Sequence, residues 1–478
     1  MNSGSMALDV HRNWPVAMAQ KPDRVTRSGN SSGMLPEVKT KGTSLTSSAT
    51  PTFPDPTGAP IYLPDEILVV ILEYTAYLTQ AAQSTLAACC LLNRQWYDAG
   101  VPYLYAHPYL YGRNFDPFVR AIVTSLNLHV RKSPLSKLVK TLNMANLVHQ
   151  SSNSNTARLL SRTKGNLEGF VAPQASFGVT CLAPLSKCVK LQTLDLSLVS
   201  ESPPLPILFK TVAHLEDLRT FRLPRSAGFG AKQQPDPTSL NWPPHLENLS
   251  LSGGIDGHFL HGLVAFPQAL RSLTIEHCPQ AKGPGITNML ATAVRPLRQL
   301  RSLKIRHMPR LGAHALDDVL ALLPQLERLS ISVDYVSPAL FDKPNSAKFY
   351  HLCMPVNELS DSLVANNLHF LELTTSGNPG VEDKISPIDL LIAIDEGTLP
   401  RLRQVRVART LLWHNSSTAA DAEALADVLL EASKRDWEDG VGYFKQGSGN
   451  RRDRTVEEVE EKKAKVWESV AGVWMFDG

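Results

Sequence analysis

The most regular feature of the chain is a hydrophobic pattern: an apolar residue, two variable residues, a second apolar residue, one variable residue and a third apolar residue. Leu191, Leu194 and Leu196 form one such set. Because alternating apolar positions place side chains on one face of an extended strand, each set predicts a short strand with one buried face. The sets begin at Val139, Leu167, Leu191, Leu218, Leu246, Leu270, Leu300, Leu326, Leu368 and Leu402.

Between these strands lie apolar residues at helical spacing, as in Asp317–Leu323 and Phe259–Val264. Most sets start 24 to 30 residues after the previous one, near the period of about 20–29 residues that is typical of leucine-rich repeats. A strand and a helix in each unit predict an α/β fold, a solenoid with parallel strands on its concave side and helices on its convex side. We assign the solenoid to residues 111–417, with insertions near 228–241, 333–366 and 375–399.

A second apolar region lies closer to the N-terminus, between Leu63 and Trp96. Pro64 suits the first turn of a helix, and Asp65 and Glu66 place negative charge at the positive end of its dipole. A second apolar run follows and ends at Trp96. Neither run has a continuous polar side, so the two predicted helices must each bury a second face against the rest of the chain or against another protein.

Residues 61–110 resemble an F-box, whose pattern begins with Leu-Pro and an acidic pair and ends with a basic residue and Trp. Two departures are the long stretch Tyr77–Ser84 and Gln95, which stands where a second basic residue is common. The resemblance implies binding to the Skp-type adaptor of an SCF-type (Skp/cullin/F-box) ubiquitin ligase, and through it to the cullin and RING subunits. The alternative is a two-helix cap for the solenoid. We expect the adaptor contact at Leu63, Pro64, Ile67, Leu68, Ile71, Leu72, Leu86, Cys89, Leu92 and Trp96.

The repeat region adds to this resemblance. The segments Trp242–Gly253 and Ala269–Leu273 resemble a motif pair in F-box proteins of filamentous fungi that carry leucine-rich repeats. The chain is thereby identified as similar to fungal F-box/leucine-rich-repeat substrate receptors over roughly Leu63 to Val407.

Both ends of the chain differ from the repeats. Residues 1–60 are rich in Ser, Thr, Pro and Gly, which predicts a disordered arm because such a composition buries little apolar surface. Residues 418–478 predict a helical cap and tail, with one helix at about Ala419–Trp437 and another at the capping-box pair Thr455 and Glu458. We expect the apolar end of the tail to dock as the C-terminal cap, with a partner-binding helix as the alternative. That end contains Val466, Trp467, Val470, Val473, Trp474 and Phe476.

Composition narrows the class of partner. The formal net charge is +3, so no global field indicates a nucleic acid or a membrane surface as partner. The six cysteines form no Cys-x-x-Cys pair, as expected in a reduced compartment. No run has the length of a signal peptide core or a membrane span. We expect a cytoplasmic or nuclear protein.

Few residues indicate chemistry. His258 and His261 have the spacing of two metal ligands on a helix but lack a third nearby. His277 and Cys278 could form a nucleophilic pair, yet Cys is common at this turn of a repeat. Phosphate-binding and nucleophile-elbow motifs are missing from the sequence. The sequence therefore predicts a non-catalytic protein without a cofactor or a metal.

Binding is the remaining function. Variable residues of the strand pattern should face the concave side, where five cations could hold an acidic or phosphorylated segment. Glu276 and Glu372 interrupt this row, and the alternative is a solvated surface of mixed charge. The candidate substrate-binding residues are Arg222, Lys304, Arg306, Arg328 and Arg406.

The resemblance to F-box proteins with leucine-rich repeats implies a substrate-recognition subunit of an SCF-type ubiquitin ligase, in which the F-box binds the adaptor and the repeats bind a protein substrate. Two other functions are a non-degradative F-box scaffold and a leucine-rich-repeat interaction protein of another class whose N-terminal helices are only a cap.

Overall fold

The computed structural model describes residues 63–77, 82–124, 133–147, 152–228, 241–254, 266–292, 299–342, 366–375, 385–447 and 471–477. The chain divides into two compact units, Met1–Tyr109 and Leu110–Gly478. Several sequence predictions lie outside the described residues: the arm at 1–60, His258 and His261, the helix at Phe259–Val264, and the helix at Thr455 and Glu458.

The first unit is helical. It contains α1 (Asp65–Tyr77), α2 (Ala82–Cys89) and α3 (Arg94–Ala106). Asp65 and Glu66 occupy the first turn of α1, as predicted. The backbone carbonyl of Pro64 accepts hydrogen bonds from the N–H groups of Ile67 and Leu68, so the helix begins where the Leu-Pro-Asp-Glu pattern places it.

The third helix, α3, was not predicted as a separate element, because the second apolar run of the sequence continues to Trp96, inside this helix. Its N-cap is Asn93, whose side chain accepts a hydrogen bond from the backbone N–H of Trp96 at 3.0 Å. Gly100 of α3 lies against Cys90 and Leu72. The third helix therefore covers one of the two apolar faces that α1 and α2 cannot leave in water.

The second unit is built on one sheet. Its described strands pair in parallel and in chain order, as expected for a repeat array in which each unit contacts its neighbours. They are β1 (Thr141–Asn143), β2 (Gly169–Val171), β3 (Thr193–Asp195), β4 (Thr220–Arg222), β5 (Asn248–Leu251), β6 (Ser272–Glu276), β7 (Ser302–Arg306), β8 (Arg328–Ser332), β9 (Phe370–Thr374), β10 (Gln404–Ala408) and β11 (Gly472–Phe476).

The register of the sheet follows the sequence pattern. The second apolar residue of each set pairs with its counterpart on the next strand, so one continuous column of side chains crosses the sheet and is buried from β1 to β10. The column is Leu142, Phe170, Leu194, Phe221, Leu249, Leu273, Leu303, Leu329, Leu371 and Val405. The predicted α/β class with parallel repeat strands is confirmed.

Helices and short turns connect most of these strands. The helix α10 (Pro387–Asp395) begins with a capping box, in which the side chains of Ser386 and Asp389 each accept a hydrogen bond from the other's backbone N–H. The helix predicted at Asp317–Leu323 is one short turn, Val319–Leu322. The helices of this unit are α4 (Gly112–Ile122), α5 (Asn153–Thr163), α6 (Val179–Leu185), α7 (Leu205–Val212), α8 (Gly283–Thr292), α9 (Val319–Leu322), α10 (Pro387–Asp395) and α11 (Ala419–Gly447).

The helical cap predicted at 418–478 needs a correction. A helix does begin at Ala419, and it runs to Gly447. Val466, Trp467 and Val470 lie outside the described residues. The rest of the apolar end is a strand: β11 pairs in parallel with β10 over its whole length, from Gln404 opposite Gly472 to Ala408 opposite Phe476. The run Val-Trp-Met-Phe is rich in residues that favour strands, and the edge of β10 offers it a hydrogen-bonding partner.

Two of the predicted insertions contain ordered repeat structure. Within 333–366, two short 3₁₀ turns at Val333–Tyr335 and Pro338–Phe341 bury their apolar side chains. The hydroxyl of Tyr335 accepts a hydrogen bond from the backbone N–H of Met308 at 2.8 Å. Within 375–399, α10 is the helix that connects β9 and β10. The described parts of both segments thus belong to the body of the repeats.

Candidate functional site

The helical unit exposes a set of large apolar side chains. Four of the five on α1 lie at helical spacing i, i+3, i+4 and i+7, which places them on one side of the helix, and the fifth, Val69, is 38% exposed. Val70 is 62% exposed and Tyr74 is 69% exposed, while Leu92, after α2, is 65% exposed. We call this set the apolar face of the helical unit; it comprises Ile67, Val70, Ile71, Tyr74, Leu91 and Leu92.

The structure divides the predicted adaptor-binding residues into three groups. Pro64, Ile67, Ile71 and Leu92 are exposed, and Leu63, Cys89 and Trp96 are partly buried. Leu68, Leu72 and Leu86 lie in the core of the unit with at most 3% of their surface exposed, so they pack the helices together, and the adaptor contact remains a prediction. Helices that are apolar all round give no sequence signal for which face stays outside.

Three members of the apolar face were missed. Val70, Tyr74 and Leu91 were not assigned to the adaptor contact from the sequence. The spacing of Val70 and Tyr74 relative to Ile67 and Ile71 is the signal that identifies the first two, once the burial of Leu68 fixes the inner side of α1.

Gln95 has a role that the F-box pattern did not suggest. Its amide nitrogen donates to the backbone carbonyl of Leu63 at 2.8 Å and to the carboxylate of Asp65 at 2.7 Å. These bonds tie the start of α3 to the start of α1. An amide at this position therefore orients the first turn that carries the Leu-Pro pair.

Thiols in both units are poorly suited to nucleophilic chemistry. Burial raises the pKa of Cys278 to about 12, and the nearby Glu276 adds to the shift. The Cys278 thiol faces the backbone carbonyl of Glu276 at 3.4 Å instead of forming the predicted alternative pair with His277. Burial likewise raises the pKa of Cys90 to about 11. A protonated, buried thiol is a weak nucleophile, so these cysteines are packing residues.

The sheet of the repeat unit has one face packed in the core and one face that carries the variable side chains. We call the latter the open face. Arg222, at its β4 position, pairs with Asp195 on β3 at 3.2 Å. The other four predicted cations lie on β7, β8 and β10, so the sequence-predicted row of five is not continuous: Ser250 and Thr274 separate Arg222 from Lys304 in the register.

Glu372 organises part of this cation cluster. Only 8% of the residue is exposed, and its carboxylate pairs with Arg306 and, at 3.3 Å, with Arg406. The Ser330 hydroxyl donates to the same carboxylate at 2.8 Å. Glu372 is therefore a buried anion between two guanidinium groups, and it does not simply interrupt a basic row.

Aromatic rings lie against two of the guanidinium groups. Arg328 lies over the ring of Phe370 at 5.8 Å, and Arg406 lies over the ring of Phe476 at 4.9 Å. Both distances are in the range of cation–π attraction. In the part of the chain that the structure describes, Lys304 and Arg328 have no acidic partner within salt-bridge distance.

Other charged groups serve the fold. The Asp317 carboxylate accepts hydrogen bonds from the backbone N–H and the hydroxyl of Ser337 at 2.7 and 2.8 Å.

Among the described residues, no group of three or more His, Cys, Asp or Glu side chains could hold a metal ion. Within the same residues, no helix has the length and apolarity needed to cross a bilayer.

Two yeast proteins are similar in sequence to this chain. An F-box protein of Saccharomyces cerevisiae, YDR306C, is 32% identical over 352 residues, which cover 72% of this chain and 66% of that protein, just under two thirds of its length. Protein pof5 of Schizosaccharomyces pombe is 30% identical over 372 residues, which cover 77% of this chain and 95% of that protein. No protein-family model matches the sequence.

Solved structures show a weaker likeness. The crystal structure of the yeast Rad7 and Elc1 complex has a TM-score of 0.41 at 16% identity, and it covers 72% of this chain and 88% of the matched chain. The leucine-rich repeat-containing protein LegL7 of Legionella pneumophila has a TM-score of 0.32 at 14% identity, and the match covers 60% of this chain and 79% of the matched chain.

The repeat architecture of this chain is shown by its own strand pairing. Together with the yeast relatives and the F-box pattern, it places this chain in the family of fungal F-box proteins with leucine-rich repeats.

Proposed function

We propose that the chain is the substrate-recognition subunit of an SCF-type ubiquitin ligase. In this function the helical unit binds a Skp-type adaptor, which connects it to the cullin and RING subunits, and the repeats bind the protein to be ubiquitylated. The observation that carries the proposal is the apolar face of the helical unit, exposed at the position where the F-box pattern lies.

The energetics of this face support a protein partner. Full burial of a large apolar side chain contributes about 1.5–3 kcal/mol, and the face presents six such side chains. Several large apolar side chains exposed on one small unit are typical of an interaction site. Leu68, Leu72 and Leu86 hold the helices that present the patch, and Gln95 fixes the start of α1.

The proposed contribution to ubiquitylation is not catalytic. A receptor raises the rate by holding a substrate lysine near the conjugating enzyme, which is an effective-concentration effect. Such a subunit requires no cofactor of its own, and its place of action is the cytoplasm or the nucleus.

The test is co-expression of the full chain with a fungal Skp-type adaptor, followed by size-exclusion chromatography. The variant Val70→Glu with Leu92→Glu places two charges on the apolar face, and burial of unpaired charges against a partner is costly. The matched control is Val189→Glu, which introduces the same charge at an apolar residue of the repeat unit that is 58% exposed.

We expect a one-to-one complex with the unmodified chain and with Val189→Glu, and no complex with the double variant. A folded chain that elutes alone would contradict the proposal. So would a complex that survives both charges in the apolar face, because the adaptor would then bind elsewhere.

A further inference from the structure

The open face of β7–β11 combines positive charge with aromatic surface. Its aromatic side chains are Phe370 on β9 and Trp474 and Phe476 on β11, and all three are partly exposed. Trp474 pairs in register with Arg406 of β10. Tryptophan, tyrosine and arginine are the residues most enriched at the energetic centres of protein interfaces. The tail strand β11 therefore adds two aromatic side chains to the open face beside Arg406.

The charge of this surface is unbalanced. The strand residues that face outward on β7–β11 include four cations and one anion, Glu372, a net of three positive charges. Glu276, on the adjoining strand β6, lies opposite Arg306 in the register. Glu372 already engages Arg306 and Arg406. Lys304 and Arg328 therefore provide the positive charge that no described carboxylate neutralises.

These two cations have a spacing that matches an extended peptide. Ser302 of β7 pairs with Arg328 of β8, and Lys304 pairs with Ser330, so Lys304 and Arg328 are diagonal neighbours. Strands about 4.8 Å apart that rise about 3.3 Å per residue place such neighbours about 8 Å apart. Alternate side chains of an extended peptide point the same way at intervals of about 6.6 Å, so two carboxylates at i and i+2 can reach both cations.

We propose that the open face of β7–β11 binds an extended acidic segment of a partner protein. Carboxylates of that segment pair with Lys304 and Arg328, and an apolar side chain about four to five residues further along packs on Trp474 and Phe476, which lie three strands from Arg328. The inference rests on the proposed function only in taking the bound protein as the one to be ubiquitylated.

The N-terminal half of the open face does not share these properties. From β1 to β5 its outward positions are mostly uncharged, and Arg222 is paired with Asp195. Arg222 is therefore excluded from the site, although the sequence pattern had grouped it with the other cations. This difference makes Arg222 the natural control.

The test uses the full chain and fluorescence anisotropy with short fluorescein-labelled peptides. In the first peptide, glutamates alternate with serines and a phenylalanine stands about five residues after the last glutamate. In the second peptide, glutamines replace the glutamates. In the third, serine replaces the phenylalanine. The protein variants are Lys304→Gln with Arg328→Gln, the control Arg222→Gln, and Trp474→Ala. Thermal unfolding of each variant reports on folding.

We expect saturable binding of the acidic peptide, weaker at high salt, and no binding of the glutamine peptide. Loss of two charge-assisted hydrogen bonds should weaken binding at least about tenfold in the Lys304/Arg328 variant, while Arg222→Gln binds as the unmodified chain does. Trp474→Ala should reduce the affinity for the phenylalanine peptide to that for the serine peptide.

The proposal is overturned if the acidic peptide does not bind, or if Arg222→Gln weakens peptide binding as much as the Lys304/Arg328 variant does. It is also overturned if an oligothymidylate binds the same residues more tightly than the peptide does, which would indicate a nucleic-acid surface. Adaptor binding is measured on the same variants. A variant that no longer binds the peptide but still binds the adaptor shows that the two surfaces act separately. If the unmodified chain binds the peptide but does not bind the adaptor, the proposed function fails while this inference stands.

Discussion

Replacement of Gly100 by alanine should destabilise the helical unit through one identifiable contact. A Cβ atom at Gly100 would lie 2.8 Å from the sulfur of Cys90 and 3.7 Å from a terminal methyl group of Leu72. Ordinary contacts between carbon atoms are about 3.5–4.0 Å, so the second contact is tolerable and the first is not. The change therefore requires the Cys90 side chain or α3 itself to shift.

The expected cost follows from the kind of site. An extra methyl group in a packed core typically costs about 1–3 kcal/mol, and alanine recovers up to about 1 kcal/mol of this because it favours the helix interior. The net cost is then up to about 2 kcal/mol, which corresponds to an increase of up to roughly 30-fold in the population of the opened unit. Gly312 provides the matched control, because a Cβ atom there meets nothing within 4 Å. Gly312→Ala should change stability by less than about 0.5 kcal/mol.

Amide hydrogen exchange resolved by peptide is the suitable assay, since it reports the local opening of each unit separately. Peptides from α1–α3 should exchange faster in Gly100→Ala, while peptides from β6–β8 should be unchanged. Cys90→Ala removes the clashing sulfur. The double variant should therefore be less destabilised than the two single changes predict when added, and a double-mutant cycle measures that difference.

Two results would refute the reasoning. The first is unchanged exchange in α1–α3 of Gly100→Ala, which would mean that the unit adjusts without cost. The second is strict additivity of Gly100→Ala and Cys90→Ala, which would mean that the cost arises at another contact.

Two further predictions concern the repeats. Glu372→Ala leaves the guanidinium groups of Arg306 and Arg406 without their shared anion. It should lower the free energy for opening β7–β10, measured by hydrogen exchange, by about 3 kcal/mol. Glu327→Ala breaks the exposed pair with Arg301 and should cost less than about 1 kcal/mol, so equal effects of the two variants would contradict this prediction. The pKa of His277 is lowered by burial first and then by Arg225 and His307, against the opposing effect of Glu276, so its stabilising contribution is present above about pH 6.5 and is lost as the pH falls below that value. His277→Asn, which tolerates the left-handed backbone at φ 56°, should therefore reduce the fall in Tm between about pH 7.5 and pH 5, and an unchanged fall would contradict the assignment to His277.

The strands of the repeats could be predicted because their signal is local. Each apolar set from Val139 to Val407 lies in or beside a strand, and the register that joins them follows from repetition alone. The strand β11 could not be predicted in this way. Its short apolar run stands apart from the repeat spacing, and periodicity does not distinguish a short apolar strand from the end of a helix; only the free edge of β10 decides between them.

The surfaces were predicted less completely, for two physical reasons. The helices of the first unit are apolar on more than one side, so the sequence identified an F-box but not the division between Leu68, which is buried, and Val70, which is exposed. The pairing of Arg306 with Glu372 joins residues 66 positions apart. Such a contact is set by the stacking of β7, β8 and β9, including an interval longer than the repeat period, and no local pattern reports it.

The central claim is that the apolar face of the helical unit contacts a Skp-type adaptor. Site-specific incorporation of the photo-crosslinking residue benzoylphenylalanine at position 70, and separately at position 189, tests that contact directly in the full chain mixed with the adaptor. Irradiation should link the adaptor to position 70 and leave position 189 unlinked. A cross-link from position 189 alone, or none from position 70 while the two proteins co-elute, would contradict the account.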